Sequence, residues 1–197
     1  MRISFDLDDT LICGPSVPTE QFVSWWRCWR YPERLRHGTR SLMTALARRG
    51  CRIWIYTSSG RSPQHLKAWF ASFGIPLEGV VNQARHEQTV GLRGPSKYPP
   101  AFGIDLHVDD SSGVAMEGAD HRFPVLVIAP EDPGWAARVL SEVDARISSN
   151  SHWSARQFAP NQPFDAKRIF RDCLARILLS DHRIPYYAVD GVKPDPA

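Results

Sequence analysis

Short apolar segments alternate with amphipathic segments over the first 145 or so residues, and this alternation constrains the fold more than any other feature. The strand-like segments are ISFDL, CRIWIYT, GVVNQ, IDLHVDD and FPVLVIAP, which begin at residues 3, 51, 79, 104 and 123. Strands that alternate with helices at such intervals favour parallel β-α units joined by right-handed crossovers. The pattern predicts an α/β fold with a central, mainly parallel sheet of about five strands, covered by helices on both faces.

Three of the intervening segments have clear helical signals. In SPQHLKAWFASFG, Ser62 is a predicted N-cap, Pro63 occupies the first turn and Gly74 ends the helix. A second helix is predicted in GTRSLMTALARRG, where four residues form an apolar stripe: Leu42, Met43, Leu46 and Ala47. A third is predicted to open at Asp132 and Pro133.

Composition limits the class of protein. With 43% hydrophobic residues in 197, the chain can bury one core of ordinary size. The formal charge of +3 is too balanced to indicate nucleic acid by bulk attraction. The four cysteines form no C-x-x-C pair, which argues against a zinc site or a disulfide framework. Without an export signal or an apolar run of about 18 residues, we expect a cytoplasmic protein with no membrane span.

The rest of the chain divides into two less regular parts. Residues 12–36 contain FVSWWRCWRYPERLR, which we interpret as a loop with a short helix around residues 20–29. Residues 148–164 have the composition of a linker, and an amphipathic helix follows in DAKRIFRDCLARILLS. We therefore predict a core over residues 1–147, followed by a linker, a C-terminal helix and an irregular tail over residues 148–197. That helix would dock on the domain or on a second copy of the chain.

Three aspartates, Asp6, Asp8 and Asp9, interrupt the first apolar segment. Aspartate is rare in strands because its short carboxylate competes for the backbone and requires water or a ligand. If the strand remains extended through Asp8, Asp6 and Asp8 project to the same side and Asp9 to the other. Two carboxylates so close repel each other unless a cation relieves them, and Mg²⁺ prefers such oxygen ligands. The segment therefore predicts a magnesium site.

Other polar segments also follow predicted strands, at residues 57–61, 82–86 and 109–112. In open parallel sheets, ligands bind beyond the carboxyl ends of the strands. We therefore expect all these segments to converge with Asp6 on one edge of the sheet.

These motifs resemble those of the haloacid dehalogenase-like (HAD) phosphohydrolases. FDLDDTL is similar to the first signature of that family, and RIWIYTS, which places Thr57 at the end of a strand, is similar to the second. PSKYP offers Lys97 for the third signature, and DLHVDD offers Asp109 and Asp110 for the fourth. The four occur in the family's order, and the resemblance implies a Rossmann-like three-layer fold.

The resemblance also implies a chemistry. Asp6 would be the nucleophile that forms an aspartyl-phosphate, and Asp8 would be the general acid and then the general base. Mg²⁺ would be held by Asp6, Asp8 (through its backbone carbonyl), Asp109 and Asp110. Thr57 and Lys97 would hold the phosphoryl oxygens. The expected contacts to the substrate are Thr10, Ser58, Arg61, Asn82 and Arg85.

Each of these residues also has an ordinary structural interpretation. The aspartates could form a surface turn, Thr57 could simply end a strand, and Asp109 and Asp110 could cap a turn or helix. Most lysines are solvated, although only four of the 24 basic residues here are lysines, which mildly favours a role for Lys97.

Substrate choice is less constrained. We interpret residues 12–35 as a loop with one helix and residues 83–96 as a loop. Neither segment is long enough for a full cap over the site, so we expect at most a minimal cap around residues 12–36. An open site favours a large phosphorylated substrate, or a lid from a partner subunit. Phosphate monoester hydrolysis is the leading interpretation. The alternatives are a phosphatase that processes nucleic-acid ends, favoured by the tryptophans and arginines of residues 22–36, and a non-catalytic binding module.

Overall fold

The computed structural model describes residues 1–21 and 31–157. By its internal contacts the chain divides into two units, Met1–Ser149 and Asn150–Ala197, and the site lies in the first. Within the described residues, no helix combines the length and the apolar character that a membrane span requires.

The first unit is built around a five-stranded sheet in which every neighbouring pair is parallel. In chain order the strands are β1 (Arg2–Phe5), β2 (Arg52–Tyr56), β3 (Gly79–Val81), β4 (Leu106–Asp109) and β5 (Val125–Val127). Their order across the sheet is β3-β2-β1-β4-β5, so β1 is the central strand. The predicted α/β class is confirmed, and the architecture is that of a Rossmann-like three-layer fold.

Helices connect the strands, as parallel pairing requires, because a tight turn cannot join two parallel neighbours. The α-helices of the described residues are α1 (Thr39–Arg48), α2 (Pro63–Ser72), α3 (Gln83–Val90), α4 (Ser112–His121) and α5 (Trp135–Gln157). A 3₁₀ helix, Pro99–Phe102, precedes β4.

Helix α2 begins and ends where the sequence predicts. The Ser62 hydroxyl oxygen accepts a hydrogen bond from the backbone N–H of His65 at 3.2 Å, and Pro63 is the first helical residue. Gly74, just past the end, has a φ of +78°, which glycine adopts without strain. The apolar side of helix α2 packs into the core through Leu66, Trp69 and Phe70, which are all buried.

Each face of the sheet has its own apolar cluster, because alternate side chains of a strand point to opposite faces. The larger cluster contains Ile53 and Ile55 of β2, together with the buried side of α1 (Leu42, Met43 and Leu46). Ala47, predicted on the same stripe, is exposed. The smaller cluster is formed by Trp54, Tyr56, Val81, Phe102 and Ile104.

The strand order places a switch point between β1 and β4. The chain runs from β1 outward through β2 and β3, then returns to the other side of β1 with β4 and continues to β5. Crossovers leave these two strands in opposite directions, so the carboxyl ends of β1 and β4 border a crevice. Asp6 follows β1 and Asp109 ends β4, which brings both to this crevice.

Two segments differ from the predicted structure. Residues 83–90 form helix α3 rather than a loop; none of its residues is buried, so the sequence lacks the apolar periodicity that reveals a helix. Helix α5 continues to Gln157, into the segment predicted as a linker. Its serines and asparagine are tolerated in a helix, and residues 135–159 contain no proline that would end it.

Other expectations lie partly or wholly outside the described residues. They are the short helix around residues 20–29, most of the tryptophan-rich segment, and the C-terminal amphipathic helix with its tail. The described part of residues 12–36 includes an antiparallel bridge between Thr19 and Arg36.

Candidate active site

Three carboxylates meet at the crevice between β1 and β4. One oxygen from each of Asp6, Asp109 and Asp110 lies within 4.8 Å of the other two. The position of Asp6 is fixed because its backbone N–H donates to the Val108 carbonyl at 2.8 Å, which extends the β1–β4 ladder by one residue. The segments that resemble the first and fourth signatures are thereby brought together.

Lys97 is buried against this cluster and is only 3% exposed, so it is not the solvated lysine of the ordinary interpretation. Its ammonium group donates to Asp6 Oδ1, to Asp109 Oδ2 at 3.3 Å and to the Tyr56 carbonyl at 3.0 Å. All three donors of the ammonium group are used. A buried lysine is held charged by such partners, and here it offsets part of the negative charge of the cluster.

The pKa values of the two carboxylates beside Lys97 are shifted in opposite directions. For Asp6, burial raises the pKa to about 6, although the charge of Lys97 opposes the shift. For Asp109, burial also acts to raise the pKa, but the hydrogen bond from His107 and the charge of Lys97 outweigh it and lower the pKa to about 2. Asp109 is therefore the firmly ionised member of the pair.

A buried hydrogen-bond chain lies behind Asp109. His107 Nε2 is 2.9 Å from Asp109 Oδ2, and His107 Nδ1 is 2.8 Å from the Ser4 hydroxyl. Burial lowers the pKa of His107, so the neutral ring donates from Nε2 to Asp109 and accepts the Ser4 proton at Nδ1. His107 lies inside an apolar strand and is fully buried, but the sequence does not reveal its link to Asp109. The only signal is that polar Ser4 and His107 are paired across β1 and β4.

Asp8 does not join the carboxylate cluster through its side chain. Strand β1 ends at Phe5 and Asp9 has a left-handed φ of +58°, so the condition under which Asp6 and Asp8 would project to the same side, a strand extended through Asp8, is not met. Arg61 donates to both carboxylate oxygens of Asp8, at 2.9 and 3.0 Å, and also pairs with Glu33. Glu33 was not among the predicted site residues. In this structure Arg61 therefore contacts the side chain assigned to acid–base chemistry.

Thr10 and Asp110 form a second contact between the two signatures. The fully buried Thr10 hydroxyl donates to Asp110 Oδ1 at 3.2 Å. Thr10 therefore supports a member of the cluster, and its predicted contact with substrate stays a prediction.

The end of β2 lies beside this cluster through the Tyr56 carbonyl that Lys97 contacts. Thr57 is 1% exposed, and its hydroxyl oxygen accepts from the backbone N–H of Ser59 at 3.1 Å, whereas Ser58 is exposed. The hydroxyl proton of Thr57 stays available to an oxygen of a ligand.

Asn82 and Arg85 are engaged in local structure. The Asn82 side chain caps α3 by accepting from the Arg85 N–H at 3.1 Å, and its amide donates to the Arg61 carbonyl at 3.2 Å. The Arg85 guanidinium donates to the Val80 carbonyl at 2.8 Å and lies over the rings of Trp54 and Phe102. Their predicted contacts with substrate stay predictions.

The donor set fits a hard divalent cation. All three clustered ligands are carboxylate oxygens, two of them buried, and Lys97 does not neutralise three negative charges. Magnesium and calcium are bound by oxygen donors of this type, whereas zinc prefers nitrogen and sulfur. Among the described residues, Asp6, Asp109 and Asp110 are those that could hold the ion.

A scan of the chain against protein-family models finds no match, and a search of the curated proteins finds none either. The resemblance to the HAD phosphohydrolases consequently depends on the motifs and on the geometry described above.

Proposed function

We propose that this protein is a magnesium-dependent phosphatase that hydrolyses phosphate monoesters through an aspartyl-phosphate on Asp6. The observation that carries the proposal is the position of Lys97, which contacts Asp6 and Asp109 within a cluster of three carboxylates. Salt-bridge networks in a protein interior are costly to desolvate, and sites with a chemical task tolerate that cost. A cluster with this composition is suited to a dianionic phosphate and its cation.

The reaction proceeds in two steps. In the first, a carboxylate oxygen of Asp6 forms a bond to phosphorus while the bond between phosphorus and the ester oxygen breaks, and Asp8 gives a proton to the departing oxygen. In the second, Asp8 takes a proton from water, the water oxygen bonds to phosphorus, and the Asp6 carboxylate leaves with its electron pair. The net products are an alcohol and orthophosphate.

The surrounding groups hold charge in place. The Lys97 ammonium stabilises the equatorial phosphoryl oxygens through its charge and the Thr57 hydroxyl does so by a hydrogen bond, and Asp109 and Asp110 would hold Mg²⁺ together with Asp6. When bound, Mg²⁺ reduces the repulsion between the nucleophile and the phosphate. His107 bonds to Asp109 and Ser4 bonds to His107, so this pair fixes the orientation of the Asp109 carboxylate, as outer hydrogen-bond partners do at metal sites.

Arg61 must change partners during this cycle. A guanidinium bonded to both oxygens of Asp8 favours the ionised carboxylate, which suits the second step. Glu33, which Arg61 contacts at the same time as Asp8, keeps the guanidinium paired in the first step, when Asp8 carries a proton.

The first prediction tests the nucleophile. Orthophosphate release from a broad panel of esters is measured with and without Mg²⁺ for the native chain, for Asp6→Asn and for Asp120→Asn, an exposed residue on α4. We expect a loss of at least about 10³-fold in Asp6→Asn, because an amide cannot form the acyl-phosphate, and no change in Asp120→Asn.

Two results would contradict the proposal. Substantial turnover by Asp6→Asn would place the nucleophile on another residue. A native chain that binds Mg²⁺ but releases no phosphate from any ester would support the non-catalytic binding module instead.

A further inference from the structure

A cleft opens beside the end of β2, next to the residues assigned to the phosphoryl group. It has a volume of about 280 Å³, and Thr57 and Ser58 form its inner end. Helix α3 forms one wall with Gln83, His86 and Glu87, and the segment from Gly91 to Ser96 forms the other. Lys97 follows Ser96 directly, so the cleft and the phosphoryl site share both a strand end and a loop.

The first wall presents a hydrogen-bond donor with a defined orientation. The backbone N–H of Tyr98 donates to the Tyr56 hydroxyl oxygen at 2.8 Å, and that hydroxyl lies 2.5 Å from His86 Nδ1. Burial lowers the pKa of His86 and raises the pKa of Tyr56 to about 12, so both groups are neutral. Tyr56 is buried, and its hydroxyl proton can be paired only with His86 Nδ1, whereas the half-buried His86 ring borders the cleft. The arrangement that leaves no buried donor unpaired therefore points the Tyr56 proton to Nδ1 and places the His86 proton on Nε2. Among the described residues, that N–H has no partner.

The same wall presents an acceptor one residue further along. Glu87 Oε1 accepts from the Gln83 side-chain amide at 2.8 Å, and no described residue uses the other carboxylate oxygen. Glu87 is also the only charged side chain that lines the cleft within the described residues. A ligand in the cleft therefore meets one donor, one acceptor and a negative charge, which disfavours a second anionic group.

The opposite wall is apolar and firmly held. Leu92 is 85% exposed, the largest exposure of a bulky apolar residue in the described chain, and Pro95 lies beside it. The backbone N–H and hydroxyl of Ser96 both donate to Glu117 of α4, at 2.9 and 2.6 Å, which fixes this end of the wall. The volume is just below the range of about 300–1,000 Å³ typical of sites for small molecules.

We propose that this cleft binds the leaving group of the substrate, and that the leaving group is a neutral, hydroxyl-bearing alcohol of the size of a sugar. The inference rests on the proposed function, which supplies the phosphoryl end of the same ligand. A sugar matches both walls, because its hydroxyls can accept from His86 and donate to Glu87 while its C–H face packs on Leu92. A hydroxylated alcohol is also small enough to reach Thr57 from within the cleft.

The kinetic test compares three esters with Mg²⁺ present: glucose 6-phosphate, 3-phosphoglycerate, whose leaving group carries a carboxylate, and methyl phosphate, whose leaving group is too small to fill the cleft. The variants are Glu87→Ala and, as a matched control, Glu142→Ala, which also removes the carboxylate of an i,i+4 pair on a helix. We expect the ratio of kcat/KM for glucose 6-phosphate to that for methyl phosphate to fall about tenfold in Glu87→Ala only. We also expect glucose 6-phosphate to be preferred over 3-phosphoglycerate by the native chain.

A binding test examines the cleft whether or not turnover is found. Calorimetry measures the affinity of Asp6→Asn for glucose 6-phosphate and for orthophosphate, with and without the Glu87→Ala substitution. Weaker binding of glucose 6-phosphate at unchanged affinity for orthophosphate supports the inference. Equal losses for both ligands would overturn it, as would a preference of the native chain for 3-phosphoglycerate or for oligonucleotides with terminal phosphates. If no ester is turned over but the binding difference is found, the proposed function fails and the cleft assignment stands.

Discussion

Asp6 and Asp109 are carboxylic acids buried on either side of the same lysine, yet their pKa values move in opposite directions. Asp109 has three hydrogen-bonding or charged partners: His107, Lys97 and the backbone N–H of Ser111 at 2.9 Å. Asp6 depends mainly on Lys97 and is otherwise desolvated. The contrast suits the proposed roles, because a nucleophile with few competing hydrogen bonds keeps its lone pairs available, and Asp109, as a ligand of the proposed cation, would stay ionised at all working pH values.

This difference predicts a pH dependence of stability in the metal-free protein. The pKa of Asp6 is raised from 3.8 to about 6 on folding, so between these values the folded state holds a proton that the unfolded state has released. The stabilisation from this proton is present below about pH 4 and is lost as the pH rises through 6. Relative to Asp6→Asn, the native chain should lose up to about 3 kcal/mol of unfolding free energy between pH 4 and pH 7.

Denaturant unfolding in the presence of a chelator measures this loss at each pH. Asp120→Asn, which removes an exposed carboxylate, should follow the native chain at every pH. A difference between native and Asp6→Asn that stays constant with pH would show that burial does not raise the pKa of Asp6.

At the scale of elements, a helix could be predicted where the residues typical of helix ends agree with the spacing of its apolar residues. Helix α2 has Ser62, Pro63 and Gly74 at its ends and buried residues at helical intervals, whereas α3 has a single signal, the Asn82 cap, and no buried residue. The positions of Asp6, Thr57 and Asp109 at strand ends could also be predicted, because apolar strands and the polar residues that end them are visible in the sequence. The partnership of Asp8 with Arg61 could not, because it depends on a turn through Asp9 that no local pattern specifies.

The pairing of β2 with β3 depends on a close approach that a substitution can test. Gly79 is opposite Trp54 in the register, and a Cβ at Gly79 would lie 2.4 Å from the Trp54 ring. We expect Gly79→Ala to displace the indole and to lower the free energy of unfolding by about 1–3 kcal/mol. Gly60→Ala is the control, because a Cβ there meets no atom within 4 Å and Gly60 has no positive φ. Equal effects of the two substitutions in thermal unfolding would argue against this register.

At the scale of the whole molecule, the carboxylate cluster joins the beginning of the chain to residues more than a hundred positions later, so an ion bound there stabilises the fold as a unit. Mg²⁺ at about 100 times its dissociation constant should raise the free energy of unfolding by about 2.7 kcal/mol, or the Tm by roughly 5–10 °C. Calorimetric scans at increasing Mg²⁺ measure the shift. Asp109→Asn should abolish most of it and Asp120→Asn should keep it; a shift that survives in Asp109→Asn would place the ion elsewhere.

The central position of β1 has a consequence for synthesis on the ribosome. Because β1 pairs with β2 on one side, the first three strands can assemble in the order in which they are translated. The other edge of β1 stays unpaired until residues 106–109 emerge, and an open edge in a nascent chain invites pairing with other chains. Strand β1, the first of the five to be translated, thus gains its second neighbour only when β4 emerges, and until then a stalled chain exposes an unpaired strand edge.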